Sequence, residues 1–203
     1  MAADRSEMSD GLYMTVEQYF ALDESSDAKY EYLDGYAFLL RPPSSDYDDQ
    51  AFVNMAGGRV AHGALCARMV SLLDQALGIE NPCMVYSSDT RLRLQEHRYF
   101  YPDVTVSCGE QQDALMLTNP IVVVEVLSPG TEKRDRGEKF KAYKAMPSLQ
   151  EYVLIGSKYK TIEIYRREGN FWRQYSYYEG DTIELTSIGV RFSFDAVYRR
   201  IPL

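Results

Sequence analysis

The sequence predicts an α/β (α+β) fold: a mixed β-sheet flanked by helices, with a β-rich C-terminal extension. Three observations carry this. Runs of strand composition (CMVYS, TRLRLQ, VTVSC and IVVVEVL) lie between two segments whose apolar residues recur at helical spacing. The run IVVVEVL is apolar at nearly every position, the pattern of a strand buried on both faces. Beyond Pro147, the runs EYVLIG, KTIEIYRR, FWRQYSYY and TIEL are separated by turns at Glu168-Gly169-Asn170 and Glu179-Gly180-Asp181.

Each element has a local reason. Thr15 caps a first helix in which Val16, Tyr19 and Phe20 share a face. KYEYLDGYAFLL alternates and turns at Asp34-Gly35, a hairpin signal. Residues 42–58, rich in Pro, Ser, Asp and Gly, read as an exposed loop. Leu65, Met69, Leu72, Leu73 and Ala76 line one face of a long helix that ends at Gly78. After IVVVEVL comes a second helix, with Asp135 and Glu138 as a capping-box-like pair, Phe140 and Tyr143 on one side, and Pro147 as its stop. No repeat and no linker divides the 203 residues, so one domain is expected over 1–203, with 1–13 a flexible tail.

Composition bounds the function. The apolar share of 45% is that of a globular protein, and no apolar run is long enough for a membrane span. The polar start MAADRSEMSDG argues against secretion, and Cys66, Cys83 and Cys108, odd in number and without CxxC spacing, read as reduced thiols of a cytoplasmic protein. They lack partners for a zinc site. The net charge of −8 opposes non-specific binding of polyanions. A local basic patch runs against it: Lys133, Arg134, Arg136, Lys139, Lys141 and Lys144 on the second helix, which also reads as a solvated face.

Glu125 is the anomaly, a carboxylate inside an apolar strand, where an ionised group is costly unless paired. Asp103, after Pro102, opens the strand VTVSC. If the two strands are neighbours, the two acids stand together and need a cation or a proton. Oxygen ligands favour Mg²⁺ or Mn²⁺, and such an ion activates water against a phosphodiester. Glu31 in YEYLDG is a third acid, and Lys139 and Tyr143, four apart, share a helix face directed to the end of the Glu125 strand. The plainer readings make Asp103 a turn residue, Tyr143 a core residue, and Glu125 a buried acid paired with Arg91 or Arg93.

The segments MTVEQYFAL, YEYLDG, FYPDVTV, VVVEVLSPGTEKRDRGEKFKAY and SLQEYVLI, in this order, resemble the Uma-type restriction-endonuclease family of the PD-(D/E)XK nuclease superfamily. The resemblance covers nearly the whole chain. It implies a restriction-endonuclease-like fold, DNA as substrate, Mg²⁺ (or Mn²⁺) held by Asp103 and Glu125, and Glu31 as an additional acid. The superfamily's lysine, two residues after the glutamate, is replaced here by Leu127, and Lys139 from the next helix is the substitute that similar sequences imply. His62, near the start of the long helix, is implied near the phosphate or a dimer interface and otherwise is a surface histidine; His97 reads as surface. His62, Arg91, Arg136 and Tyr143 are the candidate substrate contacts. A homodimer or higher homo-oligomer is expected, with the tyrosines around Tyr30–Tyr36 and Tyr175–Tyr178 suited to an interface. Leu127 and the net acidity also fit a nuclease-fold binding or assembly module that does not cut.

Overall fold

The computed structural model describes residues 11–26, 28–41 and 56–203. The chain begins with β1 (Leu12–Tyr13) and α1 (Val16–Ser25), so the end of the expected tail is a strand, paired with Ala37 and Tyr36. Thr15 caps α1 as expected. Its Oγ1 accepts from the Gln18 N–H at 3.3 Å, and Gln18 Oε1 accepts from the Thr15 N–H at 2.8 Å, a full capping box. β2 (Lys29–Leu33) and β3 (Tyr36–Arg41) meet at Asp34-Gly35, with φ of 47° and 100°. Both central residues are left-handed, as a hairpin turn that matches strand twist requires.

Helix α2 (Ala56–Leu77) begins inside the stretch read as loop; residues 42–55 of that stretch lie outside the described residues. Leu65, Met69 and Leu73 are fully buried, whereas Ala76 is exposed. The helix ends at Gly78, whose N–H donates to the Asp74 carbonyl at 3.1 Å and whose φ is 72°. Then follow β4 (Cys83–Ser87), β5 (Arg91–Gln95), β6 (Arg98–Phe100), β7 (Val104–Cys108), β8 (Met116–Leu117) and β9 (Pro120–Leu127).

The second predicted helix, α3, runs as three consecutive pieces: Glu132–Arg134, a π-helical turn Asp135–Lys139, and Phe140–Lys144. It starts a turn earlier than expected, so Asp135 is not a cap but an interior residue with a buried side chain. The C-terminal part is β10 (Glu151–Gly156), β11 (Ile162–Glu168), β12 (Phe171–Tyr177), β13 (Thr182–Leu185), β14 (Val190–Ser193) and α4 (Phe194–Tyr198).

The strands divide between a six-stranded sheet ordered β1-β3-β2-β6-β5-β8, a six-stranded sheet ordered β12-β11-β10-β9-β7-β4, and the hairpin β13-β14. A single mixed sheet was the expectation. Strand composition reports that a segment is extended, not which neighbour it pairs with. Within the second sheet β9 and β10 are parallel, with α3 as their crossover, and β7 runs antiparallel to β9 on its other side. β9 lies between two helices. Val122, Val124 and Val126 pack with Leu65, Met69 and Leu73 of α2, while Val123 and Leu127 pack with Phe140 and Tyr143 of α3. This two-sided burial explains its run of valines.

One expectation fails at the cysteines. β4 and β7 pair so that Cys83 and Cys108 are register partners, and they form a disulfide, leaving Cys66 free. Residues 25 apart in sequence become adjacent only through strand pairing, which no local spacing reveals. No helix among the described residues is long and apolar enough to cross a membrane.

Candidate active site

Strand alternation puts Glu125 on the α3 face of β9, between Val123 and Leu127. Its residue is 3% exposed. Two α3 side chains reach it from one helix face: Lys139 Nζ lies 2.7 Å from Glu125 Oε1, and Tyr143 Oη donates to the same oxygen at 2.8 Å. The arginine partner considered from the sequence is not what Glu125 has. Arg91 instead pairs with Asp23, donates to Tyr101 Oη at 3.0 Å, and packs over Phe20.

Lys139 is the hub. Besides Glu125 it contacts Glu31 Oε1 at 3.0 Å and Asp135 Oδ1 at 3.6 Å. Glu31, fully buried on β2, also accepts from the Tyr101 N–H at 3.2 Å, and its Oε2 stands 2.7 Å from an Arg134 guanidinium nitrogen. That last contact has the distance of an ion pair without hydrogen-bond geometry. The π-helical turn carries this arrangement: it spans Asp135–Lys139, and the side chains at its two ends are the ones buried against these acids. Tyr152 of β10 steadies it by donating to the Asp135 carbonyl at 3.0 Å.

Asp103 stands one residue before Val104, the register partner of Val124. Its Oδ2 accepts from the Val126 N–H at 2.7 Å and lies 3.3 Å from His62 Nε2 on α2. Asp103, Glu125, Lys139, Asp135, His62 and Cys66 all line one cavity of about 350 Å³. The structure therefore brings together Asp103, Glu125, Lys139, Tyr143 and His62, with Glu31 behind Lys139. Arg91 and Arg136 lie elsewhere; Arg136 makes two hydrogen bonds to Glu163, at 2.7 and 2.8 Å, and one to Glu132.

The basic patch is divided: Lys139 is buried, Arg134 and Arg136 are half-buried, and Lys133, Lys141 and Lys144 are exposed. Arg134 and Lys139 face the acids, Arg136 serves Glu163, and Lys144 lies over the Phe140 ring. The tyrosine clusters are likewise partly internal: Tyr32 is buried against Tyr19, and Tyr175 donates to Glu168, while Tyr178 is exposed.

Charge governs the site. Glu31, Asp103, Glu125 and Asp135, if all ionised, outnumber the permanent cations Lys139 and Arg134 by two charges. Burial pushes Glu125 up to about 8, and the neighbouring Asp135, Asp103 and Glu31 add to this against the opposing pull of Lys139. Burial likewise raises Asp135. Burial would lower Lys139, but Glu125, Glu31 and Asp135 outweigh it and hold the ammonium above the ordinary lysine range. Burial would raise Asp103, but the His62 hydrogen bond and charge, with the Val126 N–H, hold it low. A buried carboxylate that cannot ionise freely, beside one that is kept ionised, is the donor set a hard divalent cation relieves. Asp103 and Glu125 line the same cavity, and carboxylate oxygens are the donor type that Mg²⁺ or Mn²⁺ takes.

Three residues of this site escaped the sequence reading: Asp135, taken as a cap, Arg134, counted as surface charge, and Cys66, taken as a thiol without partners. Asp135 four residues before Lys139, and Cys66 four after His62, were the available signals.

A family model described as "Uma2: Putative restriction endonuclease" matches residues 16–196. The chain belongs to the Uma2 family. Among its relatives is "Uncharacterized protein slr1290" of Synechocystis, 32% identical over 190 residues and covering 92% of each chain. "Uncharacterized protein sll1609" of the same organism is 29% identical over 162 residues, covering 77% of this chain and 82% of that one. A crystal structure titled a putative nuclease belonging to DUF820, from Anabaena variabilis, superposes with a TM-score of 0.67 at 15% identity, covering 91% of this chain and 97% of that chain. That likeness is one of fold, and it is the mixed α+β fold the resemblance implied. Uma2 membership supports a nuclease.

Proposed function

We propose that this Uma2 protein is a Mg²⁺- or Mn²⁺-dependent endonuclease that hydrolyses DNA phosphodiester bonds. The observation that carries the reading is the 2.7 Å approach of Lys139 to Glu125 beside Asp103, at the wall of a solvent-reached cavity. Alternation along β9 puts position 127 on the same face as Glu125, so a motif lysine there would approach from that face. Leu127 instead joins the apolar cluster, and α3 returns an ammonium over the same face. Only the final position of the charge matters to the chemistry.

In this reading Asp103 and Glu125 hold the metal, which supplies Lewis acidity and lowers the proton affinity of water. Lys139, kept as an ammonium by three acids, donates hydrogen bonds and steadies negative charge at the phosphate instead of abstracting a proton. Glu31 and Arg134 position Lys139 from behind. Tyr143 holds Glu125 Oε1, and His62 holds Asp103 Oδ2. The protein acts as a dimer, so that two cavities meet two strands; elution at monomer mass in light scattering would remove that part.

Nicking of supercoiled plasmid with Mg²⁺ or Mn²⁺ tests the whole. Asp103→Ala and Glu125→Ala are expected to lower the rate at least about 10²-fold, the scale of losing one group that stabilises transition-state charge. Cleavage at the wild-type rate in both variants sinks the proposal and leaves a nuclease fold used for binding.

A further inference from the structure

Helix α2 brings a second set of ligand atoms to the same cavity, and the proposed chemistry above makes no use of its thiol. His62 and Cys66, one helical turn apart, share a face. His62 Nδ1 lies 3.5 Å from Cys66 Sγ, and His62 Nε2 lies 3.3 Å from Asp103 Oδ2. One ligand atom from each of His62, Cys66 and Asp103 falls within 4.8 Å of the others. Around a tetrahedral Zn²⁺, with bonds of roughly 2.0–2.3 Å, ligand atoms stand about 3.3–3.6 Å apart. The imidazole lies between the other two donors, one nitrogen toward each, so binding requires the ring to turn until one nitrogen faces an ion shared with Sγ and Oδ2.

The donor set is chemically distinct from its neighbour. Glu125 and Asp103 offer oxygen alone; His62, Cys66 and Asp103 offer nitrogen, sulfur and oxygen, a set that suits borderline-soft ions and that Mg²⁺ does not select. Burial, then the nearby Asp103, pushes the Cys66 thiol up, so without a metal it stays protonated. The site is reachable, because the His62 side chain is 31% exposed and that of Asp103 is 16% exposed.

We propose that His62, Cys66 and Asp103 form a binding site for a thiophilic divalent cation of the Zn²⁺ class, with its fourth position facing the cavity. Three protein ligands and one open position is the pattern of reactive rather than purely structural zinc sites. On binding, the S–H bond of Cys66 breaks and a protonated His62 loses the N–H proton at its ligating nitrogen; both protons pass to solvent as the metal–sulfur and metal–nitrogen bonds form. Asp103 belongs to both donor sets, so a Zn²⁺ bound here meets Mg²⁺ at one carboxylate. That consequence rests on the proposed nuclease reading; the site itself does not.

The test uses Co²⁺ as a spectroscopic stand-in, with the full chain kept free of reductant so that Cys83 and Cys108 remain disulfide-bonded. Cys66 is then the free thiol, and a thiolate-to-cobalt charge-transfer band reports on it. A band that saturates at one Co²⁺ per chain and is bleached by Zn²⁺ is expected. It should vanish in Cys66→Ala, and His62→Gln should weaken the affinity by more than about tenfold, the loss that even an outer partner of a metal site produces. Absence of the band in the wild type, or its survival in Cys66→Ala, overturns the proposal. As a readout that needs no variant, Zn²⁺ should slow alkylation of Cys66 by iodoacetamide at least about tenfold, by the same scale; an unchanged rate overturns it equally. Glu125→Gln separates the two readings. It should keep the cobalt band, whereas Mn²⁺ binding that survives this substitution counts against the nuclease metal site alone.

Discussion

Replacing Glu125 by glutamine tests the electrostatics at the centre of the site. Glutamine keeps the shape and the acceptor for Tyr143 and Lys139 but cannot ionise. In the metal-free protein the carboxyl ionises near about 8, against 4.5 for an ordinary glutamate. Between those values the folded state holds a proton that the unfolded chain has released, so stability falls as pH rises. This contribution is fully present below 4.5 and is lost by about 8. At about 1.4 kcal/mol per pH unit, the total loss over that window is roughly 4–5 kcal/mol. Asp103, Asp135 and His62 titrate in both proteins, so the difference between variant and wild type reports the ionisation of Glu125 together with its coupling to these neighbours. Urea denaturation followed by circular dichroism, in EDTA, should find the two proteins similar near pH 5 and the variant more stable by several kcal/mol near pH 9. With Mg²⁺ or Mn²⁺ at about a hundred times its dissociation constant, the wild type should regain about 2.7 kcal/mol and the variant much less. A stability difference that does not change with pH would refute the reasoning, because burial would then not be suppressing ionisation of this carboxyl.

Lys139→Met leaves three buried acids without their shared cation and should cost about 3–5 kcal/mol at alkaline pH, together with loss of plasmid nicking; adding Leu127→Lys to it should restore measurable nicking, and no recovery would mean that the charge cannot act from that position. Tyr143→Phe removes a hydrogen bond to the Glu125 carboxyl and should lower stability in urea melts by about 0.5–1.5 kcal/mol where that carboxyl is protonated and by about 1.5–3 kcal/mol at a pH where it is ionised. Away from the site, Glu151 is fully buried and held by Arg166 at 2.8 Å and by the backbone and hydroxyls of Thr186 and Ser187. Arg166→Met should therefore destabilise by about 3 kcal/mol, the low end for breaking a buried pair, and an unchanged thermal midpoint would show that the hydroxyls and amides suffice.

Much of the fold was legible because it is locally encoded. Thr15 and Gln18 cap α1, Asp34-Gly35 turns β2 into β3, and Gly78 ends α2, each through contacts a few residues apart. The valine run of β9 announced two-sided burial. The candidate site was legible in part because a carboxylate among valines contradicts its surroundings, and such a contradiction survives in one dimension. Asp135 was misread because a capping-box spacing and an inward-facing π-turn share the same residues. The helix period assumed from the sequence was the ordinary one.

What the sequence by itself determined is where the chain is extended or helical, and that Glu125 sits where an unpaired charge cannot. What only the tertiary structure decided is which groups answer it. Lys139 and Arg134 come from α3, Glu31 from β2 and Asp103 from the head of β7, and their meeting around Glu125 depends on β2, β7, β9 and α3 packing together. Cys83 and Cys108 meet by strand register, and the His62–Cys66 face of α2 finds Asp103 by helix packing against a sheet. Each of these distances is set by long-range packing, in which sequence separation carries no information about proximity. Periodicity records which face a residue occupies; only the packed chain specifies what lies across from it.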